Sequence, residues 1–178
     1  MNKTFLLVAI VVLGLSAGFV ANRLFTTKPI ATTSKVATGT PEYAPGFSLK
    51  DLTDKTRDSK EWQGKVLMVN FWASWCPPCV REIPAFIKLQ ETYAKQGLVI
   101  IGIALDNKQN IVDFTDPMDI NYPILMAEKE GVALARAYGN RLGVLPYTVI
   151  IDRTGKIIYT HRSELTFTVA EKVIKPLL

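Results

Sequence analysis

The chain has 178 residues, 48% hydrophobic and 21% charged, a balance that suits one globular domain with an appendage. It excludes a disordered, collagen-like or disulfide-dense protein. The formal charge of +5 divides into +3 over residues 1–45 and +2 over residues 46–178, so no folded basic face for nucleic acid is expected, and two cysteines with one histidine are too few for a four-ligand Cys/His zinc site.

Phe5 to Ala21, FLLVAIVVLGLSAGFVA, has Ser16 as its only polar side chain. As a helix it would be about 26 Å long, close to the hydrocarbon thickness of roughly 30 Å. A cut after Ser16-Ala17-Gly18 would expose Phe19 and Val20, and a cut after Ala21 would put bulky Phe19 where a small residue is required. A retained anchor within residues 1–25 is therefore expected in preference to a cleaved signal peptide. Residues 26–45 are rich in threonine and proline and read as a flexible tether, with a reach on the order of 25 Å. Residues 46–178 form the expected domain.

Within that domain, Phe47 to Leu52 reads as a short strand and TDKTRD after it as turn. Val66 to Trp72, VLMVNFW, is a continuous apolar run suited to a central strand covered on both faces. Pro78 to Gln96 follows as a helix, with Val80, Ile83 and Ile87 on one face and Gly97 as its stop. Leu98 to Leu105 is a second buried strand. Asn110 to Thr115 is a short helix, Pro123 to Met126 a short strand and Glu130 to Tyr138 a helix. Tyr147 to Asp152 and Lys156 to Thr160 flank the turn Arg153-Thr154-Gly155 as a hairpin. Thr168 to Lys175 closes as a helix. The predicted fold class is α/β, a mixed central β-sheet with helices on both faces.

Both cysteines lie in Trp75-Cys76-Pro77-Pro78-Cys79, between the first buried strand and the start of its helix. A helix N-terminus stabilises a thiolate through its unpaired N–H groups and dipole, which makes Cys76 the expected nucleophile and Cys79 its deeper partner. Proline is tolerated between them because the first helical N–H groups lack intrahelical partners in any case. Val80 stands where a haem-attachment motif has histidine, and no third soft ligand for copper is near. A structural disulfide would close too small a loop to hold a fold.

The segment FWASWCPPCVREIP resembles the active-site segment of the thioredoxin superfamily, specifically its membrane-anchored TlpA/ResA-like thiol-disulfide oxidoreductases. The likeness extends from APGFSLKDL through GKVLMVNFWASWCPPC to GVLPYTVIIDRTGKI, about residues 44–160. It implies a thioredoxin-like fold and a redox-active Cys76–Cys79 disulfide. Glu82 matches a carboxylate placed near the cysteines, and Pro146 the family's cis-proline. Trp75, Pro77, Leu145 and Pro146 are expected to contact the substrate chain, and Trp72 to pack nearby. Asn70 stands where thioredoxins carry a buried acid, which shifts the proton-accepting role toward Glu82. His161 is assigned no role.

The resemblance further implies a monomer at the bacterial inner membrane with its domain exported. It would need no cofactor or metal, would take electrons from a membrane thiol-disulfide donor, and would reduce client proteins such as apocytochrome c. Two prolines between the cysteines, and the expected repulsion of a thiolate by Glu82, favour a reductase over an oxidant. The competing readings are a non-catalytic binding module and a peroxiredoxin-like peroxidase. For the peroxidase, Ala73 stands where the Thr-x-x-Cys context requires threonine.

Overall fold

The computed structural model describes residues 39–178; the expected anchor and most of the tether lie outside the described residues. The strands are β1 (Ser48–Asp51), β2 (Thr56–Asp58), β3 (Val66–Trp72), β4 (Leu98–Ala104), β5 (Ile124–Met126), β6 (Tyr147–Ile151) and β7 (Ile157–His161). The helices are α1 (Pro77–Tyr93), α2 (Lys108–Thr115), α3 (Gly131–Ala137) and α4 (Phe167–Ile174). Among the described residues no helix is long and apolar enough to cross a membrane.

The two continuous apolar runs take the middle of the sheet, because only there are both faces covered. β3 runs parallel to β4, from Val66↔Leu98 to Trp72↔Ala104, and antiparallel to β6, from Leu67↔Ile151 to Phe71↔Tyr147. The full order is β2-β1-β5-β4-β3-β6-β7, a mixed sheet. Alternation along β3 sends Met68 and Trp72 into a core with Ile83, Phe86 and Leu89 of α1 and Ala170 and Ile174 of α4. Val69 and Phe71 point the other way, toward Trp62, Ala135 and Tyr138. Helices thus cover both faces, as the sequence predicts.

Three expectations need correction. The segment read as turn contains β2, a three-residue edge strand beside β1, too short to show a period of two. Its end is fixed by a capping box that opens a 3-10 helix at Ser59–Trp62. Asp58 accepts from the Lys60 amide (2.9 Å) and its own amide donates to Glu61 (2.8 Å). The inward stripe of α1 is Cys79, Glu82, Ile83, Phe86, Leu89 and Tyr93, with Val80 and Ile87 only half-buried. A carboxyl on that stripe broke the apolar pattern and shifted its phase. Finally, residues 42–45 are bound to the domain, since the Ile157 amide donates to Glu42 O, Ala44 N to Gly155 O, and Tyr138 Oη to Pro45 O.

The helix stop falls where expected. α1 passes into a 3-10 turn at Ala94–Gln96 and ends at Gly97, whose φ of 97° is open to glycine and strained for other residues. Pro84 lies inside α1 on its exposed side. It leaves the Val80 carbonyl without its helical N–H partner, but where water can reach it.

Candidate active site

β3 delivers the chain to the cysteines through a short, tied turn. The Cys76 amide donates to Ala73 O (3.2 Å), and Ser74 Oγ donates to Asp106 just beyond β4. Cys76 is the N-cap of α1, in extended conformation (φ −98°, ψ 100°), and Pro77 and Pro78 are the first two helical residues. Neither proline has an N–H. The first turn therefore has only the Cys79 amide to offer, where other residues would have supplied three.

Cys76 and Cys79 are joined in a disulfide, Cα atoms 5.3 Å apart. Cys76 is 4% exposed and Cys79 fully buried. The order of exposure is the expected one, but Cys76 too is nearly closed off.

Glu82, one turn beyond Cys79, is 1% exposed, which removes the reading of an ordinary solvated helix acid. Asn70 Nδ2 of β3 donates to its Oε1 (2.7 Å) and the Leu165 amide to its Oε2 (2.9 Å). Burial pushes the carboxyl up to about 8; these two hydrogen bonds pull it down, and the nearby charge of Glu164 adds to the rise. In the disulfide form Glu82 therefore holds its proton at neutral pH. That protonation belongs to the disulfide form, in which the pair carries no thiolate.

The Leu145–Pro146 peptide bond is cis. Because Phe71 faces Tyr147 across β3 and β6, Pro146 stands at the sheet end where β3 leaves for the cysteine turn. Pro146 is buried and Leu145 half-buried. Trp75 is 66% exposed, so it projects into solvent, and Pro77 is exposed as well. Trp72 belongs to the core, its ring centroid 5.5 Å from that of Phe114 and its indole N–H without a hydrogen-bond partner. Leu142 and Val144, just before the cis bond, add exposed apolar surface that sequence reasoning did not single out. His161 is half-buried, with Nδ1 3.0 Å from Tyr159 Oη and Nε2 2.9 Å from Ser163 Oγ.

Sequence reasoning singled out Asn70 by its position but not its bond to Glu82, and it missed Thr148 and the Leu165 amide. Asn70 was legible as a polar residue in an apolar strand. Thr148 was legible only from the parity of β6, once its register with Asn70 was known. The Leu165 contribution is a backbone amide, for which no side-chain signal exists.

The AhpC/TSA family matches residues 41–160 of the chain. The chain is 33% identical to the thiol-disulfide oxidoreductase ResA of Geobacillus thermodenitrificans over 144 residues, which span 80% of this chain and 78% of that protein. It is 36% identical over 128 residues to the thioredoxin-like protein YneN of Bacillus subtilis, covering 70% and 72% of the two chains. Among solved structures, a thiol:disulfide interchange protein of the thioredoxin family from Chlorobium tepidum superposes with a TM-score of 0.69 at 30% identity. That match covers 77% of this chain and 96% of the other.

Proposed function

The chain belongs to the AhpC/TSA family and is a thiol-disulfide oxidoreductase, and from that premise we propose that it reduces disulfides in exported client proteins through a Cys76–Cys79 dithiol/disulfide cycle. The observation that carries the reading is a cysteine pair at a helix start with a buried, proton-holding carboxyl one turn below it. The Cys76 thiolate attacks one sulfur of the client disulfide, and the other client sulfur leaves as a thiolate. Glu82, ionised at that stage, takes the proton from the Cys79 thiol. Cys79 then attacks Cys76 Sγ, freeing the second client sulfur and closing the disulfide seen in the structure. Two electrons pass to the client, and Glu82 ends protonated, which matches its acidity in the disulfide form. A membrane thiol-disulfide donor returns two electrons to the pair. Trp75, Pro77, Leu145 and Pro146 are the proposed contacts to the client chain, with apocytochrome c as the client class the resemblance implies.

The direction rests on what the first turn of α1 lacks. A strong oxidant stabilises its thiolate, with amide donors or a cation beside it. Pro77 and Pro78 supply neither, and burial of both sulfurs disfavours the charged form. The midpoint potential is therefore expected near that of thioredoxin, about −270 mV, and well away from the strong oxidant DsbA at about −120 mV. Equilibration with glutathione buffers measures it, and a value near the oxidant end overturns the direction. The same preparation should reduce insulin disulfides and leave hydrogen peroxide unconsumed. Peroxide turnover would favour a peroxidase, and inertness toward both would favour a binding module.

The apolar run at Phe5–Ala21 supports an anchored protein whose domain faces the outside of the inner membrane. Protease added to cells with the outer barrier opened and the inner membrane intact should digest the domain. Digestion only after the inner membrane is broken would sink that topology.

A further inference from the structure

We propose that Asn70, braced across the sheet by Thr148, is a positioning residue for the proton that Glu82 exchanges with the cysteine pair. The proposal rests on the reading of Glu82 given above and adds the residue that holds it.

Asn70 is the one polar side chain in VLMVNFW and is buried in a strand whose other residues build the core. A buried amide is unfavourable unless its hydrogens are used, and both Nδ2 hydrogens are. One goes to Glu82 Oε1 (2.7 Å), the other to Thr148 Oγ1 (3.0 Å). Thr148 is the register partner of Asn70 in the β3/β6 ladder, so both side chains project from one sheet face, beneath α1. The Leu165 amide holds the second carboxyl oxygen. Each oxygen of Glu82 thus has one fixed donor, and the proton must occupy a remaining lone pair. An amide neither gives nor takes a proton near neutral pH, so Asn70 orients the carboxyl without competing for that proton. Its hydrogen bond also favours the ionised form, keeping Glu82 able to release a proton that burial would otherwise retain.

Other groups act on the same carboxyl. Glu164, in the segment between β7 and α4, raises it and is itself paired with Arg81 of α1 (2.7 Å). Tyr122, before β5, shares the field of Glu82, and Cys79 on the same helix is tied up in the disulfide.

Carboxyl carbon NMR of the oxidised protein would follow the Glu82 titration directly. Asn70→Ala should move its midpoint upward by about one to two pH units, the value of a hydrogen bond to a charged group. Asn70→Asp keeps the shape and sets two carboxyls face to face. They should share one proton and titrate in two steps, the upper one above the parent midpoint. Thr148→Val should raise the midpoint by less than Asn70→Ala.

The second readout is the pH dependence with which a Cys76–thionitrobenzoate mixed disulfide is resolved. Asn70→Ala should shift that profile in the parent and leave it unshifted in a Glu82→Gln background. Unmoved Glu82 midpoints in the Asn70 variants, or an equal Asn70 effect with and without Glu82, would overturn the proposal. If Asn70→Ala does not fold, Asn70→Asp decides alone. A Glu82→Gln protein that keeps the parental profile would remove the Glu82 reading itself. A profile flattened by Glu82→Gln, with unmoved midpoints in the Asn70 variants, removes only the role of Asn70.

Discussion

Cys79→Ser is expected to turn the protein into a covalent trap that accumulates mixed disulfides with its clients through Cys76. The two sulfurs sit on one helical turn, Cα atoms 5.3 Å apart, so in the parent the second attack is intramolecular. Well-oriented intramolecular reactions reach effective molarities of about 10⁵ M and above, whereas a rescuing thiol is present at millimolar levels. Even with generous allowance for imperfect alignment, client release should slow by at least about 10³-fold. Insulin-disulfide turnover should fall by a similar factor. Burial assigns the roles: Cys79 is fully closed off while Cys76 is 4% exposed, so Cys76→Ser should form no adducts. Non-reducing gels of the two variants test this. A folded Cys79→Ser protein without adducts, or Cys76→Ser adducts through Cys79, would reverse the assignment.

How much of this was legible in the sequence depended on whether a signal was local. The runs VLMVNFW and LVIIGIA announced the two central strands because a strand covered on both faces has no polar alternation. The cysteine turn was legible because Pro77-Pro78 and the helix start share one local rule. β2 was not, since three residues at a sheet edge carry too little pattern. The inward face of α1 was read one position out of phase because Glu82, a charged residue type, occupies a core position. That misreading marks the site, since an acid on a buried stripe is tolerated only where donors await it. Those donors come from β3 and from a loop 83 residues away in the chain, a relation that only the fold creates.

The acidity of Glu82 also reshapes the case for the direction of electron flow. Repulsion between a Glu82 carboxylate and a Cys76 thiolate was one expected reason for a reducing pair. The carboxyl is protonated at neutral pH in the disulfide form and ionised in the proposed reduced stage, so that reason applies only once the pair is reduced. Desolvation of the sulfurs and the missing amides of Pro77 and Pro78 do not depend on the state of Glu82, and these act at every pH. Replacing Pro78 with histidine supplies a donor and a cation at once, and should raise the midpoint potential toward the oxidising end.

Glu82→Gln should remove most of the pH dependence of the oxidised protein's stability between about 4.5 and 8. The Glu82 carboxyl titrates near 4.5 when solvated and is pushed up to about 8 in the fold. Between those values the folded chain binds a proton that the unfolded chain has lost, so stability must fall as pH rises. At about 1.4 kcal/mol per pH unit, the loss from pH 4.5 to 7 is on the order of 3 kcal/mol, and it levels off above 8. Glutamine has nothing to ionise; its oxygen accepts one of the two hydrogen bonds, and its NH2 faces the other donor, a cost that does not vary with pH. The carboxylates with lowered values, Asp51, Asp54, Glu61, Asp106 and Asp152, act in a separate window. Their stabilisation is complete above the ordinary carboxylate range and is lost as pH falls through their folded values, so they shape the acid limb alone. Urea unfolding of the disulfide form at pH 5, 6, 7 and 8 separates the two. A parent protein with level stability across that range, or a glutamine variant with the same slope as the parent, would mean that the buried carboxyl does not hold its proton. The proton acceptor for Cys79 would then have to be sought elsewhere.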